Sequence, residues 1–160
     1  MVIGIDARAA AEVPAGRGRY VRELLTALAA LPEAEGERFV LYAREPWGEL
    51  EGGRADNFTW ELVDRPDPLW HLAAARRANR ACDVFLSTNS YLTAWFTRIP
   101  TAITVYDLVP WTAPGEARRG SARIERATIR PALRRAAALP CISEATREDL
   151  VRLFPAAAGK

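Results

Sequence analysis

At 160 residues, 49% apolar and 26% charged, the chain has the size and composition of one soluble globular domain with room for a buried core. Two distant cysteines, Cys82 and Cys141, exclude a disulfide scaffold or a zinc ribbon, and no run of about 18 apolar residues offers a membrane span. The net charge of +2 hides a skew, because 21 of the 22 basic residues are Arg and the one lysine is Lys160. A Walker A loop needs an interior Gly-Lys pair, and a phospho-receiver domain an interior lysine at a strand end. Both classes are therefore excluded.

In chain order, Val2-Ile3-Gly4-Ile5 reads as a buried parallel strand ending in Asp6. Asp6 and Arg8 interrupt it too early for a secretory leader, so a cytoplasmic location is expected. A loop with Pro14, Gly16 and Gly18 leads to a helix whose stripe is Tyr20, Leu24, Leu28 and Leu31, stopped by Pro32. Arg38 to Ala43 and Phe58 to Val63 read as strands, with Gly48 to Asp56 a surface turn between them. Pro68 to Arg80 is an Ala-rich helix, followed by strands at Asp83 to Ser87 and Thr101 to Tyr106. Glu116 to Ala136 reads as a long helix with a kink at Pro131, and Ala138 to Ile142 as a last, edge strand because of Pro140. Ser143 caps a final helix, Glu144 to Leu153. Strands alternating with helices predict an α/β fold, a Rossmann-like doubly wound, mostly parallel sheet with helices on both faces.

Ligands of such sheets bind beyond the carboxyl ends of the strands, which directs attention to residues 6–18, 87–91, 106–111 and 143–144. Gly16-Arg17-Gly18 precedes a helix, where free N–H groups suit a phosphate, although a plain flexible loop has the same composition. It is not a dinucleotide fingerprint, since the third glycine position falls on Val21. Tyr106-Asp107 offers a phenol and a carboxylate for a sugar hydroxyl, or a turn capped by its own Asp. His71, the one histidine, reads as a packing residue beside Trp70. Arg119, Arg123, Arg126, Arg130 and Arg134 fall on one side of a continuous helix. They form either a solvated face or a surface for anionic headgroups at the inner face of a membrane. No recognition-helix motif accompanies the low total charge, so nucleic acid is not an expected partner.

Taken in order, these blocks resemble the N-terminal half of a GT-B-fold glycosyltransferase of the nucleotide-sugar-dependent family 4. The resemblance lies in Ile3-Gly4-Ile5-Asp6-Ala7-Arg8, Gly16 to Leu25, Asp83 to Tyr91, Ile99 to Pro110 and Ile142 to Thr146. It implies that residues 1–155 form the acceptor-side domain and that 156–160 begin a connection to a C-terminal donor domain lying outside this sequence. It further implies transfer of a sugar from a nucleoside-diphosphate sugar to a glycan or lipid-linked acceptor hydroxyl, with retention of configuration. No metal or other cofactor is expected.

The resemblance also distributes roles along the chain. Gly16, Arg17 and Gly18 approach the donor diphosphate. Tyr106, standing where the family has a histidine, and Asp107 lie near the transferred sugar. Asn89, Ser90, Tyr91, Ser143 and Glu144 hold acceptor or sugar. Most nucleotide-sugar contacts of the family, a pair of glutamates among them, belong to the donor domain, so this chain alone is expected to show no transfer. The competing reading is a non-catalytic doubly wound module that binds a nucleotide or a partner. A dinucleotide oxidoreductase is disfavoured by the missing fingerprint.

Overall fold

The computed structural model describes residues 1–14, 16–48, 56–115 and 119–160, so most of the 48–56 turn and the first three positions of the expected 116–136 helix lie outside the described residues. Five strands, β1 (Val2–Asp6), β2 (Arg38–Ala43), β3 (Phe58–Leu62), β4 (Val84–Ser87) and β5 (Thr101–Ile103), form an all-parallel sheet in the order β3-β2-β1-β4-β5. The order reverses at β1, whose neighbours are β2 and β4. The helices are α1 (Arg8–Glu12), α2 (Arg17–Ala30), α3 (Leu69–Ala81), α4 (Tyr91–Phe96), α5 (Val109–Thr112), α6 (Arg119–Arg135) and α7 (Glu144–Leu153).

Period-two alternation in β2 shows why helices cover both faces. Phe39 and Leu41 pack with Val21 and Leu25 of α2, whereas Val40 and Tyr42 meet Trp70, Ala74 and Ala78 of α3. A third cluster joins Ile103 and Val105 to Ile129 and Leu133 of α6 and to Leu150 and Phe154 beyond them. Gly4 sits where β1 is pressed hardest, since a Cβ there would lie 2.8 Å from the Phe85 ring and 3.0 Å from Cys82 Sγ. No helix among the described residues is long and apolar enough to cross a membrane.

Two expected strands are shorter than their sequence suggests. The strand read to Tyr106 ends at Ile103, leaving Tyr106 in the loop beyond. The expected last strand, 138–142, is reduced to two isolated parallel bridges, Ala102 with Ala138 and Val105 with Cys141. Between them stands Pro140, whose carbonyl accepts from Val105 N at 2.9 Å but which has no N–H to give the neighbouring strand. The short helices α1, α4 and α5 carry too few residues for a periodic stripe and were not foreseen. Helix α6 continues through Pro131.

Candidate functional site

The carboxyl ends of β1, β4 and β5 open into a cleft of about 630 Å³. This is the position that the chain reversal of an open parallel sheet reserves for ligands. Arg17 from the first turn of α2, Asn89, Ser90 and Tyr91 at the start of α4, and Tyr106 and Asp107 beyond β5 all line it. Local chemistry fixes these loops. Ser90 caps α4 by accepting from Leu92 N at 3.1 Å, and Ser87 Oγ donates to Ser90 O at 2.7 Å. Asp107 Oδ1 accepts from Val109 N at 3.1 Å, the Asx turn that starts α5. Arg17 Nη1 donates to Asn89 O at 3.2 Å and so links two of the loops across the cleft.

Tyr106 stands edge-on to Tyr20, with ring centroids 5.3 Å apart. Its hydroxyl is buried without a hydrogen-bond partner among the described residues, and burial raises its pKa well above that of an ordinary phenol. The Thr104 hydroxyl, two residues earlier on the same wall, is also buried and unpartnered. A buried polar atom without a partner is costly, and both oxygens are closed off from the open space of the cleft.

Four expected site residues lie elsewhere. Gly16, with φ of 56°, is the N-cap of α2, and Gly18 is buried against the Val13 and Ala9 carbonyls; neither lines the cleft. Ser143 caps α7 by accepting from Thr146 N at 3.2 Å, and Thr146 Oγ1 in turn donates to Tyr106 O at 3.2 Å. The capping pair therefore braces the Tyr106 loop from behind. Glu144 is exposed and pairs with Arg147.

The cleft floor is a polar network that the sequence did not disclose. Arg8, only 6% exposed, lies 4.4 Å above the Trp70 ring, 2.7 Å from Asp67 Oδ1 and 3.7 Å from Glu12. With the Asn89 amide oxygen turned toward it, Arg8 also donates to that oxygen at 2.8 Å and 3.3 Å. His71, read from sequence as packing, lines the cleft. Its Nδ1 is 2.7 Å from Thr93 Oγ1 and its Nε2 is 3.6 Å from Asp67. Thr93 Oγ1 reaches Asp6 Oδ2 at 3.4 Å, and Asp6 is fully buried. Burial pushes the Asp6 carboxyl up to about 6 and, helped by the Arg8 charge, pushes the His71 imidazole down to about 4. The available signal was positional: Arg8 stands two residues past a strand end, and Asp67 and His71 are spaced i, i+4 at a helix start. Neither spacing names a partner.

The family model described as Glycosyltransferase Family 4 matches residues 14–160. No curated protein matches the chain.

Proposed function

Because the chain belongs to glycosyltransferase family 4, we propose that it forms the acceptor-side lip of a retaining transferase, with a nucleoside-diphosphate sugar as donor and a glycan or lipid-linked hydroxyl as acceptor. A second domain holds the nucleoside. The protein does little covalent chemistry in such a reaction; it orients two substrates and stabilises a departing diphosphate. Arg17 and the free N–H groups at the start of α2 face that diphosphate without a metal ion; Gly16 lets the chain turn into α2, and Gly18 seats the helix against the end of α1. Tyr106 and Asp107 hold the transferred sugar. Asn89, Ser90 and Tyr91 hold the acceptor, while Ser143, through Thr146, acts from behind the Tyr106 loop.

One observation carries this reading: Arg17, Asn89, Tyr91, Tyr106 and Asp107, drawn from three separate segments of the chain, share a single cleft. In the enzyme containing this domain, Asp107→Ala is expected to lower transfer about tenfold to hundredfold, the worth of a hydrogen bond to a charged group. Tyr106→Phe is expected to cost about threefold to tenfold, as for a neutral bond. Unchanged turnover in both variants, with circular dichroism showing them folded, rejects the assignment.

The α6 arginines supply the peripheral part of the proposal. Arg123, Arg126, Arg130 and Arg134 are all exposed, as an anion-binding face requires, and such a face would keep the enzyme at the inner membrane surface near a lipid-linked acceptor. Sedimentation with vesicles containing anionic lipid is expected to capture the protein at low salt and release it at high salt. No capture at low salt removes the membrane contact.

A further inference from the structure

Two arginines grip Asn89, Arg8 through its side chain and Arg17 through its backbone. Arg8 Nη2 and Nε lie 2.8 Å and 3.3 Å from one end of the Asn89 amide. That end is the oxygen, because a guanidinium carries five N–H donors and no acceptor. The same planar group donates through Nη1 to Asp67 Oδ1 at 2.7 Å and lies 4.4 Å above the Trp70 ring. At 6% exposure it has little room to turn. Arg17 Nη1 donates to Asn89 O at 3.2 Å and so holds the backbone of the same residue.

Turned this way, the amide has only its NH2 group left to offer. That group makes no hydrogen bond among the described residues and is not closed off, so it is open to the cleft that Asn89 lines. Arg17, lining the cleft next to it, is likewise a donor only. Two neighbouring groups that donate and do not accept suit a ligand oxygen that carries no proton, a phosphoryl or carbonyl oxygen. A hydroxyl gains less, because its own proton adds a third donor to the corner.

We propose that Arg8 is a positioning residue, which locks the Asn89 amide so that Asn89 donates to an unprotonated oxygen of the ligand held in this cleft. The proposal rests on the cleft reading above and narrows it to the kind of substrate oxygen that one subsite takes.

The isotope-labelled chain is titrated by NMR with inorganic phosphate, N-acetyl-D-glucosamine and D-glucose, which present a phosphoryl oxygen, a carbonyl oxygen and hydroxyls without either. The side-chain NH2 signals of Asn89 are expected to move with phosphate or with N-acetylglucosamine, and the one that moves them identifies the source of the oxygen. That probe is expected to bind about threefold to tenfold more tightly than glucose, the worth of one hydrogen bond. Asn89→Ala removes this margin. Arg8→Lys, whose single nitrogen cannot hold Asp67 and the amide oxygen in the same fork, removes it in the parent and takes nothing further from Asn89→Ala. Asn89→Asp keeps an oxygen for Arg8, so its resistance to urea is at least that of the parent, yet it also loses the margin.

Asn89 signals that move with neither phosphate nor N-acetylglucosamine overturn the donor role, and shifts confined to Tyr106 and Asp107 then leave the cleft reading standing. No perturbation of any cleft residue by any probe overturns both. An Arg8→Lys protein with the Asn89 signals and the margin of the parent overturns the positioning role. Where Arg8→Lys does not fold, Asn89→Asp decides: a protein less stable than the parent shows that Arg8 does not face the amide oxygen and overturns the proposal.

Discussion

Replacing Gly18 by alanine is expected to lower the stability of the protein by about 3 kcal/mol or more, at the upper end of overpacking costs. A Cβ at this position would lie 1.7 Å from Val13 O and 2.7 Å from Ala9 O. Both atoms are backbone, so no side-chain rotation relieves the clash. One turn later on the same helix, Arg22 donates to Ala10 O at 2.8 Å, Val13 O at 3.0 Å and Pro14 O at 2.7 Å. Gly18 lets α2 approach the end of α1, and Arg22 satisfies the carbonyls trapped by the approach. Pushing the helices apart disturbs both features and moves Arg17, which immediately precedes Gly18 and lines the cleft. Gly16→Ala is the comparison: its surroundings are open, and only the backbone, φ 56° with ψ −112°, opposes a side chain, at a cost of about 1–3 kcal/mol. Urea denaturation measures both. A Gly18→Ala protein within about 1 kcal/mol of the parent would contradict the packing account.

Acidification is expected to separate two variants that behave alike at neutral pH. The folded value of Asp6 is about 6 against an ordinary 3.8, so its contribution to stability is present below 3.8 and lost as pH rises through about 6. His71 is the opposite case: with a folded value of about 4 against 6.5, its contribution is present above 6.5 and lost as pH falls through about 4. Between these limits the folded protein keeps a proton on Asp6 and none on His71, and the unfolded chain does the reverse. The proton counts match, so this linked pair leaves stability nearly flat with pH.

Asp6→Asn removes one half of that balance. Relative to the parent it is expected to lose about 3 kcal/mol between neutral pH and pH 4, while His71→Gln gains a similar amount, at 1.36 kcal/mol per pKa unit. The charges around the pair, Arg8 and Glu12 near Asp6 and Asp67, Arg8 and Arg44 near His71, are common to all three proteins. Denaturation curves at the two pH values decide the matter. Variants that both track the parent would show that the two groups do not titrate against each other.

Much of the fold was legible because buried parallel strands announce themselves. Val2 to Ile5, Arg38 to Ala43 and Val84 to Ser87 are short apolar runs, and the sheet pairs them as neighbours on either side of β1. The candidate site was legible where it lay at strand ends: Asn89 to Tyr91 and Tyr106-Asp107 do share one cleft with Arg17. The glycine pair shows what composition hides. A glycine required by close helix packing and one placed beside a phosphate leave the same letter in the sequence, and only the distance to the Val13 carbonyl gives Gly18 its packing reason.

By itself, then, the sequence determined the alternating elements, the all-important strand ends and the likeness to family 4, because these depend on local periodicity and ordered motifs. The tertiary structure alone decided which side chains meet. Arg8 finds Asp67 59 residues away, and Asp6 finds Thr93 87 residues away. Burial and like-charge neighbours set the chemistry of these groups, and both depend on residues brought together only by the folded sheet.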